Sequence, residues 1–437
     1  MSEPLQNLLY SYAFNIINGQ AGGEYVYSLQ ENCIYIYEDN VWKKLFDKEF
    51  LDRIERNITA ITHFTLNQRK EIIENFKHKK YLRLEGFNKT DLINFENCMF
   101  DPLTLEATEH KKEYYSTIRI PYKYDPEMKC PLWEKATMEI FENNQEKISA
   151  LQEFCGYCIS STNEHKKAVL LLGDKNTGKS TLIDIIKEII GDVNCSNVPL
   201  QYLSNPQYTP LLINKMLNVD PEVNREAVSY EREFKLLTGG KREKIACNQK
   251  HIPTFEFIPR CKLLLSANEF PKITDHSSAF YERLLLIPCE RRFLSEEQDK
   301  TLDEKLRKEL PGIFNWCIEG LKRLRERGHF LQYDFMKEAI EELENENNPS
   351  NSFFEEHIEI VSGQWIVKGD LYDKYKSWCD KTKTFPLRES RFSIAVFKKY
   401  SKHTTKNNRF SNSGKRYWPN LQYVEYKRQM EYTQEEE

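Results

Sequence analysis

Lys166-Lys167-Ala168-Val169-Leu170-Leu171-Leu172-Gly173-Asp174-Lys175-Asn176-Thr177-Gly178-Lys179-Ser180-Thr181-Leu182-Ile183-Asp184-Ile185-Ile186-Lys187-Glu188-Ile189-Ile190-Gly191 is the segment around which the chain is organised. Its first part, Lys166–Leu172, reads as a strand, with Ala168–Leu172 a short apolar run of the kind that is buried. Gly173–Ser180 then matches G-x-x-x-x-G-K-[ST] in full, and an apolar-periodic helix over Thr181–Ile190 stops at Gly191. Strand, glycine loop and helix are the context this motif needs. The glycines let successive backbone N–H groups curl around phosphate oxygens, and the helix N-terminus adds its partial positive charge. Gly173, Asp174, Lys175, Asn176, Thr177, Gly178, Lys179, Ser180 and Thr181 are therefore the candidate nucleotide-binding residues. Lys179 is placed to reach the β- and γ-phosphates, and the Ser180 hydroxyl to hold Mg²⁺. The cofactors expected are ATP and Mg²⁺.

Three further segments follow in an order that suits hydrolysis. Lys215–Glu222 reads as a strand ending in acids about 40 residues after Lys179. There Asp220 is the second candidate Mg²⁺ ligand, and Glu222 the residue to polarise the attacking water. Cys261–Asn268 is another apolar strand ending in an amide, and Asn268 is suited to orient that water or sense the γ-phosphate. Arg283 directly precedes the apolar run Leu284–Ile287, a position from which an arginine can act as a finger on a neighbouring subunit's nucleotide. Short buried strands alternating with helices over 166–330 predict a parallel α/β sheet.

Working outward, the 437 residues suggest about three domains at roughly 150 residues each. With 40% apolar and 30% charged residues the chain has cores to pack, and it is no disordered polyelectrolyte. The net charge of −4 confines any nucleic-acid contact to local patches. Eleven scattered cysteines argue against a disulfide scaffold and for a reducing compartment; the pair Cys155 and Cys158 reads as two core-facing helix positions. The first basic residue is Lys43, and no apolar run approaches the ~20 residues of a membrane helix, so a cytoplasmic location without membrane contact is expected.

The expected divisions are an α+β domain over 1–130, a helical collar over 131–165, a motor over 166–345, a basic unit over 353–428 and an acidic tail over 429–437. Within the first, Tyr35–Trp42 reads as a hairpin turning at Glu38-Asp39-Asn40, and Tyr114–Tyr124 as a strand. Glu338–Ser352, acidic and then rich in asparagine, reads as a linker.

Together the blocks resemble the superfamily 3 DNA helicases, in the phage/plasmid primase-helicase and poxvirus-type branch. The likeness is carried by Gly173–Ser180, Leu217–Glu222, Phe234–Gly240, Phe255–Pro259, Leu265–Pro271 and Ala279–Pro288. Leu310–Trp316 with Glu319–Leu321 is similar to that family's lid region, and Asn97–Asp125 with Cys130–Trp133 to the domain before its motor. The resemblance implies an AAA+ P-loop core, a homo-hexameric ring and translocation along one DNA strand. Two departures stand out: Lys241-Arg242 precede Glu243 after the paired glycines, and Glu282 precedes Arg283. No fused primase is evident, so a separate primase or initiator is an expected partner.

Two basic regions are candidates for DNA contact. Between Gly240 and Phe255 two short strands around Asn248–His251 form a hairpin. In the family a hairpin here points into the ring channel, and Lys250-His251 resembles its tip; Lys244 lies on its first arm. A lysine follows phosphates without reading bases, which suits single-stranded DNA in a motor. Val361–Arg428 holds sixteen Lys or Arg against five Asp or Glu, about +11. Arg388, Arg391, Lys398, Lys399 and Lys402 are its leading candidates for duplex DNA. Helices over Lys368–Thr382 and Glu389–Tyr400, with a strand-turn-strand around Ser411–Gly414, predict a winged helix. The function expected is an ATP-dependent replicative helicase of a mobile element. The alternative is an ATP-switched, DNA-binding replication initiator without processive unwinding; a DNA-packaging ATPase would carry a nuclease domain with clustered acids, which the sequence lacks.

Overall fold

The computed structural model describes residues 24–425 except 30, 58–64, 79–82, 85, 161, 204, 224–230, 241–242, 249–253, 270–277, 348, 385, 407 and 409–413. The chain forms two compact units, Met1–Lys337 and Glu338–Glu437.

Among the described residues the first unit starts with an antiparallel meander of β1 (Glu24–Ser28), β2 (Cys33–Glu38) and β3 (Val41–Leu45). Asp39 and Asn40 turn the expected hairpin, both with positive φ, the geometry that matches strand twist in a two-residue loop. Helices α1 (Asp47–Asn57) and α2 (Leu66–His78) close a small core of Ile34, Ile36, Phe50 and Phe76. β4 (Arg83–Leu84) adds beside β1, and β5 (Ile93–Asn94), β6 (Met99–Asp101) and β7 (Glu106–Thr108) make a second antiparallel sheet.

The strand expected over Tyr114–Tyr124 is not one. A 3₁₀ turn at Lys112–Tyr114 leads into an extended segment whose backbone bonds go to successive different partners. Trp42 N donates to Ser116 O, Ile120 N to Asn94 O and Glu96 N to Tyr122 O. Alternation survives, with Ile120 buried, but no single strand runs alongside to form a ladder.

α3 (Pro131–Ile140) and α4 (Gln145–Ile159) follow, the second capped by the Asn144 side chain, which accepts from the Glu146 and Lys147 amides. Cys155 and Cys158 lie fully inside the core, as their helical spacing predicts. Next come β8 (Ala168–Leu172), β9 (Cys195–Ser196), β10 (Leu217–Asp220), the hairpin β11 (Ile245–Cys247) and β12 (Phe255–Phe257), then β13 (Lys262–Ala267) and β14 (Leu284–Pro288). Five of these strands form a sheet in the order β14-β8-β13-β10-β9, with every pairing parallel. Their side chains are buried almost throughout, the mark of a parallel sheet covered on both faces. The helices of this part are α5 (Lys179–Ile190), α6 (Glu231–Leu237), α7 (Ser278–Tyr281), α8 (Leu302–Arg307) and α9 (Leu310–Arg327). One continuous core joins Phe95, Trp133, Phe154, Leu171, Leu264 and Phe314.

The linker expected over Glu338–Ser352 is instead helix on both sides of residue 348, which lies outside the described residues: 338–347 belong to α10 (Asp334–Asn347) and 349–352 to α11 (Pro349–His357). Met336, Ala339 and Leu343 are buried at i, i+3 and i+7, so the acids occupy the outer face of an amphipathic helix. The second unit continues with β15 (Ile358–Val367), α12 (Lys368–Thr382), α13 (Glu389–Tyr400) and β16 (Tyr417–Tyr423) around Phe353, Tyr375, Phe392, Val396 and Trp418. Of the strand-turn-strand expected around Ser411–Gly414, the described residues hold only the second strand, β16; its antiparallel partner is β15, ahead of α12. Among the described residues no strand leads into the turn, since 401–406 are turn and irregular backbone, while 407 and 409–413 lie outside the described residues.

Candidate functional site

The Gly173–Ser180 motif sits at the carboxyl end of β8, the second strand in the sheet order, with a neighbour on each side. Gly173 N donates to Ala267 O of β13 at 3.2 Å, and Cys289 N donates to Leu172 O at 2.6 Å. Both glycines of the motif are required by space. A Cβ on Gly173 would lie 2.0 Å from the Cys289 carbonyl oxygen, and one on Gly178, whose φ is +84°, would meet Ile140. The loop is thus walled by the segment after β14 on one side and by the end of α3 on the other. Phe293 N closes the first wall by donating to Asn176 O at 2.8 Å.

α5 begins at Lys179, two residues earlier than its periodicity suggests, because Gly178 serves as the N-cap. The Lys179 ammonium lies back over the loop, donating to Gly173 O at 2.5 Å and Asp174 O at 2.6 Å, with the Thr177 hydroxyl at 3.3 Å. Burial holds its pKa below the usual lysine value, against the Cys289 and Asp174 side chains, which raise it. Asp174, Lys175, Asn176 and Ser180 are exposed, Thr181 is half-buried, and Thr177 is buried with its hydroxyl donating to Asp174 O.

The sheet brings two of the other candidates alongside. Asp220 ends β10 and Asn268 follows β13, so β8, β13 and β10 present Gly173–Ser180, Asn268 and Asp220 at the carboxyl ends of three adjacent parallel strands. Neighbouring strands are about 4.8 Å apart, and this edge of an open α/β sheet is where ligands bind. Asp220 is buried and accepts a bond from Leu200 N at 2.8 Å. Burial pushes its carboxyl up from the ordinary carboxylate value, and the Leu200 and Glu222 amides work against that. Glu222 and Asn268 are exposed. Behind them Asn218 fixes β10 to the strand at the sheet edge, accepting from the Ser196 hydroxyl and Val198 N and donating to Val198 O, each at 2.9 Å.

Arg283 lies elsewhere. It directly precedes β14, with its carbonyl bonded by Ala168 N at the start of β8. The two strands run parallel for five residues, from Leu284↔Ala168 to Pro288↔Leu172, so Arg283 and the phosphate loop occupy opposite ends of the pair. At ~3.3 Å per residue that separation is on the order of 16 Å. The Arg283 guanidinium donates to Lys235 O and to the Thr238 hydroxyl, at the end of α6. Burial lowers its pKa, while Glu243 and Glu282 raise it.

The remaining candidates are spread over two further places. β11 and β12 form the expected hairpin, with Lys244 ion-paired to Glu256 across it at 3.5 Å. Lys250 and His251, expected at its tip, lie outside the described residues. Arg388, Arg391, Lys398, Lys399 and Lys402 are all exposed in the second unit. Lys398 pairs with Glu344 at 2.7 Å and Lys399 with Glu355 at 2.9 Å. Sequence reading missed the contribution of Thr238, Cys289, Ile140 and Phe293. They reach their partners from 30 or more residues away, and no local pattern marks them.

Comparison with known proteins bears on this arrangement. Residues 24–142 match the family described as "D5 N terminal like", and residues 171–283 a "Family of unknown function (DUF5906)". The chain is 25% identical over 232 residues to "Putative helicase 121R" of Invertebrate iridescent virus 3, covering 49% of this chain and 24% of that protein. It is 22% identical over 247 residues to "Putative helicase L207/L206" of Acanthamoeba polyphaga mimivirus, covering 51% and 25%. The matched region thus spans about a quarter of the length of either viral relative. In fold, the chain is similar to the apo structure of the NrS-1 C terminal region, with a TM-score of 0.57 at 14% identity over 94% of this chain and 98% of that one. An A form apo structure of the same region aligns at a TM-score of 0.50 and 15% identity, over 76% and 74%. The chain is therefore similar in sequence to viral putative helicases and shares its mixed α/β fold with that C-terminal region. No helix among the described residues is long and apolar enough to cross a membrane.

Proposed function

We propose that this chain is the ATP-hydrolysing motor of a replicative DNA helicase. The observation that supports this is the strand order: β8, followed by Gly173–Ser180, β13, followed by Asn268, and β10, ending in Asp220, are adjacent parallel strands, with Arg283 at the opposite end of the β14–β8 pair. Counted along the chain the five strands run 5-1-4-3-2, which supports an AAA+ core. Similarity to viral putative helicases supports the same reading.

The residues present fit a nucleoside triphosphate with Mg²⁺. The loop has no room for a side chain at Gly173 or Gly178, so its backbone can close on phosphate, and a buried carboxylate stands two strands away. Mg²⁺, when bound, supplies charge neutralisation on the β/γ oxygens. Lys179 exchanges the Gly173 and Asp174 carbonyls for phosphate oxygens. The Ser180 hydroxyl and Asp220 hold the metal, and Glu222, free in solvent, accepts the proton of the attacking water that Asn268 orients. Arg283, too far from its own loop, completes a neighbour's site in a homo-hexameric ring. The β11–β12 hairpin, carrying Lys244, Lys250 and His251, follows single-stranded DNA in the channel. The second unit is a winged-helix module that holds duplex through Arg388, Arg391, Lys398, Lys399 and Lys402. A separate primase or initiator acts with it, and the setting is the replication of a mobile element.

Strand displacement on forked duplexes with a 3′ or a 5′ tail, with Glu222→Gln as control, tests this. Unwinding of one fork, dependent on ATP and lost in the variant, is expected. ATP hydrolysis without displacement of either fork would overturn the helicase reading in favour of an ATP-switched initiator.

A further inference from the structure

Helix α13 has two faces of unlike chemistry. Phe392, Val396 and Tyr400 turn inward and are buried with Tyr375 and Trp418. On the opposite side Arg391, Ile394 and Lys398 stand at i, i+3 and i+7, all exposed, and Arg388 and Lys402 extend the basic stripe at either end. Ile394 is 61% exposed, a large aliphatic side chain in the middle of cations. Electrostatic attraction to phosphates gains nothing from it, and the fold gains nothing either, since it packs into no core.

The charges around it are available. Among the described residues no carboxylate pairs with Arg388, Arg391 or Lys402, whereas Lys398 holds Glu344 in an exposed pair that phosphate can replace at little cost. A basic helix face of about three turns fits the major groove, where one base edge offers an apolar group: the C5-methyl of thymine.

We propose that α13 reads sequence in duplex DNA, with Ile394 packing against a thymine methyl while Arg391 and Lys398 fix the helix on the flanking backbone. This rests on the duplex-binding reading of the second unit given above. It goes beyond that reading by assigning base selectivity, and a residue that confers it, to a surface otherwise read as charge alone. A partner protein with an acidic, apolar face is the competing occupant, and it would leave the DNA results below flat.

The test uses the full chain. A preferred duplex is selected from a randomised pool at moderate salt, and each thymine in it is replaced in turn by deoxyuridine, which removes the methyl and nothing else. At one position wild type should lose three- to fivefold in affinity. Ile394→Ala should bind the thymine and deoxyuridine duplexes alike, keep its affinity for a scrambled duplex within twofold, and retain its far-UV spectrum; Ile394→Val should keep part of the discrimination. Arg391→Ala and Lys398→Ala should weaken all duplexes alike and flatten the salt dependence. Selection that yields no preference, with strong salt-dependent duplex binding intact, overturns the inference and leaves the duplex-binding reading standing. Discrimination against deoxyuridine that persists in Ile394→Ala overturns the assignment to Ile394. Absence of duplex binding by wild type at low salt overturns both, and identifies the duplex reading as the one that failed.

Discussion

Arg283 donates from Nη1 to the Thr238 hydroxyl at 3.0 Å, and from the same nitrogen to the Lys235 carbonyl at 2.5 Å. The guanidinium is thereby anchored to the end of α6, and Gly239-Gly240 leads on from there toward the β11–β12 hairpin. A candidate finger and a candidate DNA-following hairpin share one anchor. Thr238 is itself fixed, since its hydroxyl donates to Phe234 O at 2.6 Å. Movement of Arg283 toward a neighbour's nucleotide would therefore pull on the root of the hairpin.

From this the trans role of Arg283 can be tested. Arg283→Ala and Glu222→Gln should each lack ATPase activity alone. Mixed, they should regain a fraction of it, because some interfaces then pair an intact arginine with an intact Glu222. Mixed assemblies seen by native mass spectrometry that stay inactive would remove Arg283 from the role.

Lys179→Ala should lower ATP hydrolysis at least a hundredfold, about 3 kcal/mol of lost stabilisation at the developing charge. Stability should change little. The carbonyls that Lys179 bonds, those of Gly173 and Asp174, belong to half-buried and exposed residues, and water can take its place. Steady-state ATPase and urea unfolding measure the two effects, and a rate within threefold of wild type would contradict the site.

Gly173→Ala should unfold more readily by roughly 2–4 kcal/mol, because its Cβ would fall 2.0 Å from a backbone oxygen of Cys289 that cannot rotate away. Gly178→Ala should cost less, about 1–2 kcal/mol, since Ile140 is a side chain that can shift while the positive φ remains. Equilibrium urea unfolding of both variants checks the order, and equal stability of wild type and Gly173→Ala would contradict the packing.

Lys262 gives a pH signature. It is wholly buried at the start of β13, bonded to Ser160 O and, at 3.2 Å, to Arg260 O, and burial lowers its pKa from 10.5 to about 8. Between those values the unfolded chain binds more protons than the folded one, so this group's contribution to stability rises with pH. Across the whole window it amounts to about 3 kcal/mol. Lys262→Met lacks that slope, while the nearby Cys158, Cys261, Arg260 and Asp91 are common to both chains. Urea midpoints at pH 7.5 and 10 should show wild type gaining on the variant; parallel behaviour would mean that the lysine is not perturbed in this way.

Legibility in the sequence followed the range of the interactions. The glycine loop between β8 and α5, the parallel sheet and the paired arms before β13 were readable because each is written in neighbouring residues: a motif with its flanks, apolar runs of strand length, two short strands close in sequence. Tyr114–Tyr124 kept the alternation of a strand without a strand's neighbour, and alternation alone does not reveal who lies alongside. Glu338–Ser352 looked like a linker because its acids and asparagines outnumber its apolar residues. Met336, Ala339 and Leu343 nevertheless sit on one face, and a helix needs no more than that stripe. In the site, the acids and Asn268 were legible as strand ends, whereas their adjacency depends on strand order, with β13 inserted between β8 and β10. The walls of the loop, Cys289 and Ile140, were not legible at all, since only the fold brings them to it.

The placement of Arg283 and Gly173 at opposite ends of the β14–β8 pair also constrains how copies of the chain can associate productively. Under the proposed trans role, an arginine at one end and the loop it serves at the other would call for a head-to-tail contact, in which each copy gives with one edge and receives with the other. A two-fold dimer would have to bring both edges into a single interface, so pairing of that kind is disfavoured. An open row leaves one loop unserved and one arginine idle, whatever its length, and closure alone removes both defects. Specific activity per chain should then climb with concentration and level off where rows become rings, a kinetic trace of geometry laid down within a single five-residue strand.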